Sequence, residues 1–346
     1  MKIIHQKYIK MNPEKMKYRS IRQFKLSAVG YGAMGLSHGY GACPEHDESI
    51  RLLKKAFECG CNFIDTAEAY GWGENERLIG EAFEGMRDKV VIATKLHLVG
   101  DSDNWAKYIE DHLDASLKNL KTDYVDVYYM HRIPDPKKLS LEDMAKIFGD
   151  LIKKGKIKGW GISQATSEEI EKCNAITPLT CVQNEYSMME RMYEKEIKTC
   201  EKLGISFVAF SPMASGFLSG KYNKDSKYEG DDVRRVITRF NKDNVVANQP
   251  LLDMLKDFAE KKKCTMAQIS LAWMLKKSPV VIPIPGMRSD ARIEENLASV
   301  NVELTDEEYN NIEKELAKIT IHGNRTDKDI IEGLGSLKKL EANLKK

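Results

Sequence analysis

The 346-residue chain is 42% hydrophobic and 31% charged, with a formal net charge of +2. That is the balance of a water-soluble globular protein long enough to bury a sizeable core. Lys and Arg are spread along the whole length, which leaves no footprint for nucleic acid or an anionic membrane surface, and the longest apolar runs fall short of a bilayer span.

In chain order, residues 1–20 read as a polar extension ahead of the first strand. Strands are then expected at 28–34, 62–66, 90–95, 124–131, 158–163, 181–186, 206–211 and 280–285. Several are continuous apolar runs (VVIATK, YVDVYYM, SFVAF), as parallel strands covered on both faces require. Helical patterns separate them at 47–59, 74–85, 105–120, 141–154, 167–175, 194–203, 267–276 and 290–299. Eight strand–helix units over about 250–300 residues fit an α/β (β/α)8 TIM barrel, with a doubly wound sheet as the second reading. A long polar insertion at 222–248 follows the seventh strand, a length of connection that is usually functional or mobile. An extra C-terminal helix is expected at 306–318 and a tail after it. The expected domain plan is an extension at 1–20, a barrel at 21–325 and a tail at 326–346.

Seven cysteines form no CxxC pair and no zinc-ligand spacing, so they read as reduced buried thiols. No signal-peptide core opens the sequence, and a cytoplasmic location is expected. Histidines are few and scattered, which argues against a metal-dependent barrel enzyme.

Four residues fall at or just past the C-terminal ends of successive strands: Asp65 and Tyr70 in FIDTAEAYG, Lys95 closing VVIATK, and His131 closing YVDVYYMH. A barrel gathers those ends around one mouth. A phenol beside an ammonium becomes a stronger acid, so Lys95 is expected to assist Tyr70, with Asp65 holding the ammonium by ion pairing. His131 is placed to hydrogen-bond a substrate oxygen or relay a proton. The group suits protonation of an oxygen that turns negative, such as a carbonyl receiving hydride.

Residues 30–35 spell G-x-G-x-x-G, but no helix opens at these glycines, so they read as close backbone approach at a barrel mouth and not as a Rossmann fingerprint. A better anion site lies in PIPGMRSDARIEEN, where Gly286 ends a strand, Ser289 and Asp290 open a helix, and Arg288 and Arg292 flank its first turn. Ser163, Gln164 and Gln183 place side chains able to recognise a carboxamide. Phe210 offers a ring face to a planar heterocycle, and Ser211, Pro212, Ala214, Ser215 and Gly216 leave backbone N–H groups open to a diphosphate. Trp72 is a candidate apolar wall for substrate.

Across about residues 20–325 the chain resembles the aldo-keto reductase superfamily, closest to its microbial branch, through FIDTAEAYGWGENERLIGEAF, VVIATK, DVYYMHR, GISQAT, VQNEYS, VAFSPMASGFLSGKY and IPGMRSDARIEENL. The resemblance implies a (β/α)8 barrel that reduces an aldehyde or ketone with NADPH, NADH being a possible substitute. Tyr70 then matches the general acid, Lys95 and Asp65 its supports, and His131 the substrate-orienting histidine. Ser163 and Gln183 match carboxamide contacts, Phe210 the ring-stacking residue, Arg288 and Arg292 contacts to the 2′-phosphate, and Glu295 and Asn296 contacts to adenine. Gly32 and Met34 fall where the first strand meets the cofactor. Position 164 is Gln where many relatives carry Asn or Glu, and position 210 is Phe where Tyr is frequent. The lysine many relatives place after the last strand is absent, which shifts phosphate recognition toward Arg288. The resemblance implies a small-molecule carbonyl compound as partner. The other reading is an NADP(H)-binding regulatory or sensor subunit with slow turnover, and the sequence is silent on oligomeric state.

Overall fold

A computed structural model describes residues 10–325; the tail expected at 326–346 lies outside the described residues. Two short strands come first: β1 (Tyr18–Ile21) and β2 (Phe24–Ser27) form an antiparallel hairpin, with Tyr18 opposite Ser27 and Ile21 opposite Phe24. β1 runs through residue 20, where the sequence reading ends its extension. Alternation along the two strands puts Ile21, Phe24 and Leu26 on one face, where they pack with Phe63, Val127, Val208 and Ile282. Those last four come from strands of the main sheet, so the hairpin plugs one end of the barrel. Its polar side chains clasp the loops around that end: Arg19 donates to the carbonyls of Ser278 (2.7 Å) and Leu275 (2.8 Å), and Gln23 to that of Lys158 (2.8 Å).

The main sheet has eight parallel strands, β3 (Tyr31–Gly32), β4 (Phe63–Asp65), β5 (Val91–Leu96), β6 (Val125–Met130), β7 (Ile157–Ser163), β8 (Cys181–Glu185), β9 (Ser206–Phe210) and β10 (Val281–Pro283), hydrogen-bonded in chain order. Its two edges meet: the N–H groups of Gly30 and Gly32 donate to the carbonyls of Pro283 (2.9 Å) and Pro285 (3.1 Å). A Cβ on Gly32 would lie 2.5 Å from the Ile284 carbonyl oxygen. The glycines of the G-x-G-x-x-G run therefore serve close approach of the first and last strands, and no helix opens on them.

Helices cover the outside: α1 (His46–Glu58), α2 (Glu74–Ala82), α3 (Trp105–Asn119), α4 (Leu141–Lys153), α5 (Ser167–Ile176), α6 (Glu194–Leu203), α7 (Lys242–Ala247), α8 (Gln249–Lys262), α9 (Met266–Lys277), α10 (Asp290–Leu297) and α11 (Asp306–Leu316). Local sequence sets their starts. Thr166 with Glu169, Thr265 with Gln268 and Thr305 with Glu308 form reciprocal capping boxes at α5, α9 and α11. α8 is a helix the sequence reading did not assign; Pro250 sits in its first turn, where a missing N–H costs nothing. The stretch 222–248 contains α7 and two short 3-10 turns. Tyr222, Tyr228 and Phe240 there, with Phe217, have ring centroids 5.4 to 5.9 Å apart. Its polar composition conceals an aromatic cluster of its own. Among the described residues no helix is long and apolar enough to cross a membrane.

Candidate active site

Strand alternation decides what faces the inside of the barrel. On β4, β5 and β6 the inward residues are apolar at depth (Phe63, Ala93, Val127, Tyr129) and polar two residues on, at Asp65, Lys95 and His131. In the sheet Asp65 lies opposite Ala93, and Ala93 opposite Val127. The same two-residue step carries β8 from Cys181 to Gln183 and β9 from Val208 to Phe210. A dry floor is thus followed by a polar layer at the C-terminal mouth.

That mouth opens into a cavity of about 1090 Å3. At one end the Lys95 ammonium is fully buried, ion-paired with Asp65 and donating to the Thr66 carbonyl (2.6 Å). The Gln183 Nε2 donates to the other Asp65 oxygen (2.7 Å), so the carboxylate is held from two sides. Burial pushes the Asp65 carboxyl up from its ordinary range, while the charge and hydrogen bond of Lys95 oppose that rise. Tyr70 stands over this pair, its ring centroid 5.1 Å from the Lys95 Nζ and 6.0 Å from the His131 ring, edge to face. The His131 imidazole is held well below the ordinary histidine range by burial and by the nearby charges of Arg132, Lys95 and His97. It is therefore neutral at neutral pH. Its Nδ1 is buried with no hydrogen-bond partner among the described residues, a state that calls for a polar group from outside the chain. Trp72, 39% exposed and with φ of 58°, forms part of the same wall.

Along the cavity the strand-end residues give way to loops. Gly32 and Met34 lie on one side, and Phe210, Ser211, Pro212, Ser215 and Gly216 on the other. Ser211, Ala214, Ser215 and Gly216 all have positive φ, between 46° and 94°, a run of left-handed turns that curls the backbone around the cavity. At the far end Ser289 caps α10 through its side chain, and Gly286, Arg288, Arg292 and Asn296 line the wall. Arg288 donates to the Tyr40 carbonyl (2.8 Å) and to that of Ala42, and Arg292 pairs with Glu295. A Cβ on Gly286 would meet nothing closer than 3.8 Å, so the wall there is open. An orphaned imidazole at one end, a half-exposed ring at Phe210, and arginines beside a capped helix start at the other fit a nicotinamide dinucleotide phosphate.

Five of the residues singled out from sequence do not line the cavity. Lys95 is beneath Asp65 and Tyr70, and Ser163 lies behind Arg132, whose Nη1 reaches its Oγ at 3.4 Å. Gln164 turns with φ of 55° and gives its N–H to the Gln183 carbonyl. Ala214 is buried in its loop, and Glu295 stands behind Arg292. Conversely, sequence reasoning passed over His97, Tyr40, Asp231, Arg234 and Arg325, all of which line the cavity. His97 follows Lys95 by two residues, and its ring centroid is 5.3 Å from that of His131, so the strand period was a usable signal. Arg325 had none. It reaches Glu185 (3.2 Å) and the Phe210 ring (5.1 Å) from a segment some hundred residues away in sequence.

The profile of the aldo/keto reductase family matches residues 28–317. An aldo-keto reductase of Gibberella moniliformis is 33% identical over 330 residues, covering 92% of this chain and 99% of that protein. A second, aldo-keto reductase str7 of Strobilurus tenacellus, is 32% identical over 323 residues, covering 89% of this chain and 94% of its own length. Among solved structures, a glycerol dehydrogenase of Gluconobacter oxydans superposes with a TM-score of 0.78 at 27% identity, over 90% of this chain and 97% of the other. The chain belongs to the aldo/keto reductase family, oxidoreductases that act on carbonyl groups.

Proposed function

We propose that the protein reduces an aldehyde or ketone to its alcohol with NADPH, Tyr70 being the proton donor. The observation that carries this reading is the meeting of Tyr70, Lys95 and His131 at the mouth of one cavity, with ring and ammonium 5.1 Å apart. The chemistry the cofactor supplies when bound is hydride delivery to the carbonyl carbon. Phe210 offers its face to the nicotinamide ring, and Gln183 and Ser163 lie at the neighbouring strand ends for its carboxamide. The loop at 211–216 turns toward the diphosphate, while Arg288 and Arg292 take the 2′-phosphate, a set that favours NADPH over NADH.

Within the chain, Tyr70 gives its hydroxyl proton to the carbonyl oxygen as negative charge develops there. The buried Lys95 ammonium stabilises the charge left on the phenol oxygen, and Asp65 keeps that ammonium in place. His131, neutral, hydrogen-bonds the substrate oxygen without competing for the proton. The reverse oxidation uses the same groups in the opposite protonation states. Tyr70→Phe tests the assignment: it removes the proton and keeps the ring. Turnover with a panel of aldehydes should fall about 10²- to 10⁴-fold, with NADPH affinity by fluorescence titration unchanged. Near-normal reduction by the variant would overturn it.

A further inference from the structure

We propose that Glu68 and His112 form a clamp that positions the Tyr70 loop against the end of β5, and so set the alignment on which turnover depends. The inference rests on the proposed function above, because it concerns the alignment of its proton donor. Neither residue touches the cavity wall, and neither has a part in the chemistry described so far.

Glu68 sits between Asp65 and Tyr70, and every polar group it carries is used to tie the loop down. Its backbone N–H donates to the Lys95 carbonyl (3.3 Å), and its own carbonyl accepts from the Gly73 N–H (2.9 Å). One carboxylate oxygen accepts the backbone N–H of His97 (3.0 Å), two residues past Lys95. The other meets Nδ1 of His112, on α3, at 2.8 Å. The strand end held in this way passes the constraint on, since the Leu96 carbonyl accepts the N–H of His131 at 2.8 Å. One side chain thus joins the loop carrying Tyr70, the strand carrying Lys95 and the residue carrying His131.

His112 is built to hold its end. Its ring stacks on Tyr108, with centroids 4.3 Å apart and planes at 27°. Both members of the pair keep only about a fifth of their side-chain surface, 21% and 20%. Burial works against the charged imidazole, but the hydrogen bond and charge of Glu68 prevail, helped by Asp111, so the ring's affinity for protons is raised. A half-buried charge-assisted bond outweighs a surface ion pair of the same length. The Tyr70 loop itself turns through Gly71, Trp72 and Gly73, all at positive φ. Such a loop does not fix the phenol by its own backbone, and the clamp supplies what it lacks.

The test uses three variants of the full-length protein. His112→Phe keeps the ring against Tyr108 and removes the bond to Glu68; His112→Asn keeps a donor near the Nδ1 position; Glu68→Gln weakens both carboxylate bonds. Amide hydrogen exchange reads the clamp without reference to activity. His112→Phe and Glu68→Gln should each speed exchange at 66–74 and 96–98 about tenfold, leave the rest of the barrel unchanged, and lower kcat about tenfold with KM and NADPH affinity retained. His112→Asn should stay close to wild type, and the double variant should be no worse than either single one. Wild-type exchange in His112→Phe would overturn the clamp, as would faster exchange spread evenly over the barrel, which marks loss of general stability. If the wild type reduces no carbonyl compound at all, the proposed activity fails, and the exchange arm still decides whether the clamp exists.

Discussion

The two ends of the cavity are built on opposite principles. At the Tyr70 end the functional groups stand on strands or within a few residues of them, buried, short-tethered and bonded to one another. Lys95 and Asp65 are fully buried, and Gln183 closes the pair from the third side. At the Arg288 end the groups are long cationic side chains on a loop and a helix start, partly exposed, and bonded to carbonyls or to a helix neighbour. Proton transfer depends on atoms held to fractions of an ångström, which demands a rigid and dry setting. Recognising a phosphate requires charge and donors but tolerates reach, so flexible arginines on a surface loop suffice. A change at the first end therefore disturbs fold and rate together, whereas one at the second disturbs affinity alone.

Substitutions can break this contrast. The largest effect is expected from Lys95→Met, which leaves Asp65 buried without its counter-charge. Stability should fall by about 3–5 kcal/mol, read as a urea-unfolding midpoint, with loss of turnover. Adding Asp65→Asn should recover much of the stability and none of the activity. A Lys95→Met protein as stable as wild type would mean the pair is not the dry unit described. Next in size, Arg288→Ala should weaken NADPH binding about 10- to 100-fold, with NADH affinity, kcat at saturation and unfolding midpoint all near wild type. Equal loss for both nucleotides would place Arg288 on a shared part of the cofactor and not on the 2′-phosphate.

The smallest effect concerns pH. The folded-state pKa of His131 lies well below the ordinary value of 6.5, so the unfolded chain binds the extra proton first. Stability owed to the neutral ring is then complete above about pH 6.5 and is lost as pH falls toward the folded pKa. The slope from this one site is at most about 1.4 kcal/mol per pH unit. His131→Asn should flatten the acid side of the stability curve between pH 6.5 and 5, and an unchanged slope would assign the acid sensitivity to other groups. The Tyr70 and His112 variants complete the series, the first separating chemistry from binding and the second separating alignment from both.

Much of the frame was legible in sequence for a physical reason. Parallel strands covered on both faces must be apolar throughout, so VVIATK and YVDVYYM announce themselves, and the observed Val91–Leu96 and Val125–Met130 fall within a residue or so of the expected ends. The period of two then places Asp65, Lys95 and His131 on one inner face without any knowledge of the fold. His97 follows from the same rule and was passed over because attention stopped at the strand end. Other features leave no such trace. The hairpin at 18–27 is too short and too charged to read as strand, and it exists because Ile21, Phe24 and Leu26 find the open end of the barrel. α8 lay next to an insertion whose polarity masked the pattern of Leu251, Leu252, Leu255 and Ala259, its buried residues.

By itself the sequence determined the alternation of strand and helix, the caps that start the helices, and the residue types at each strand end, because those depend on neighbours within a few residues. Tertiary structure alone decided that Gln183 braces Asp65, that Glu68 meets both His97 and His112, and that Arg325 returns to the face of Phe210. Those contacts join groups from 29 to 118 positions apart in the chain, or more in the case of Arg325. Pairings at that distance follow from sheet register and barrel closure, which no local pattern encodes.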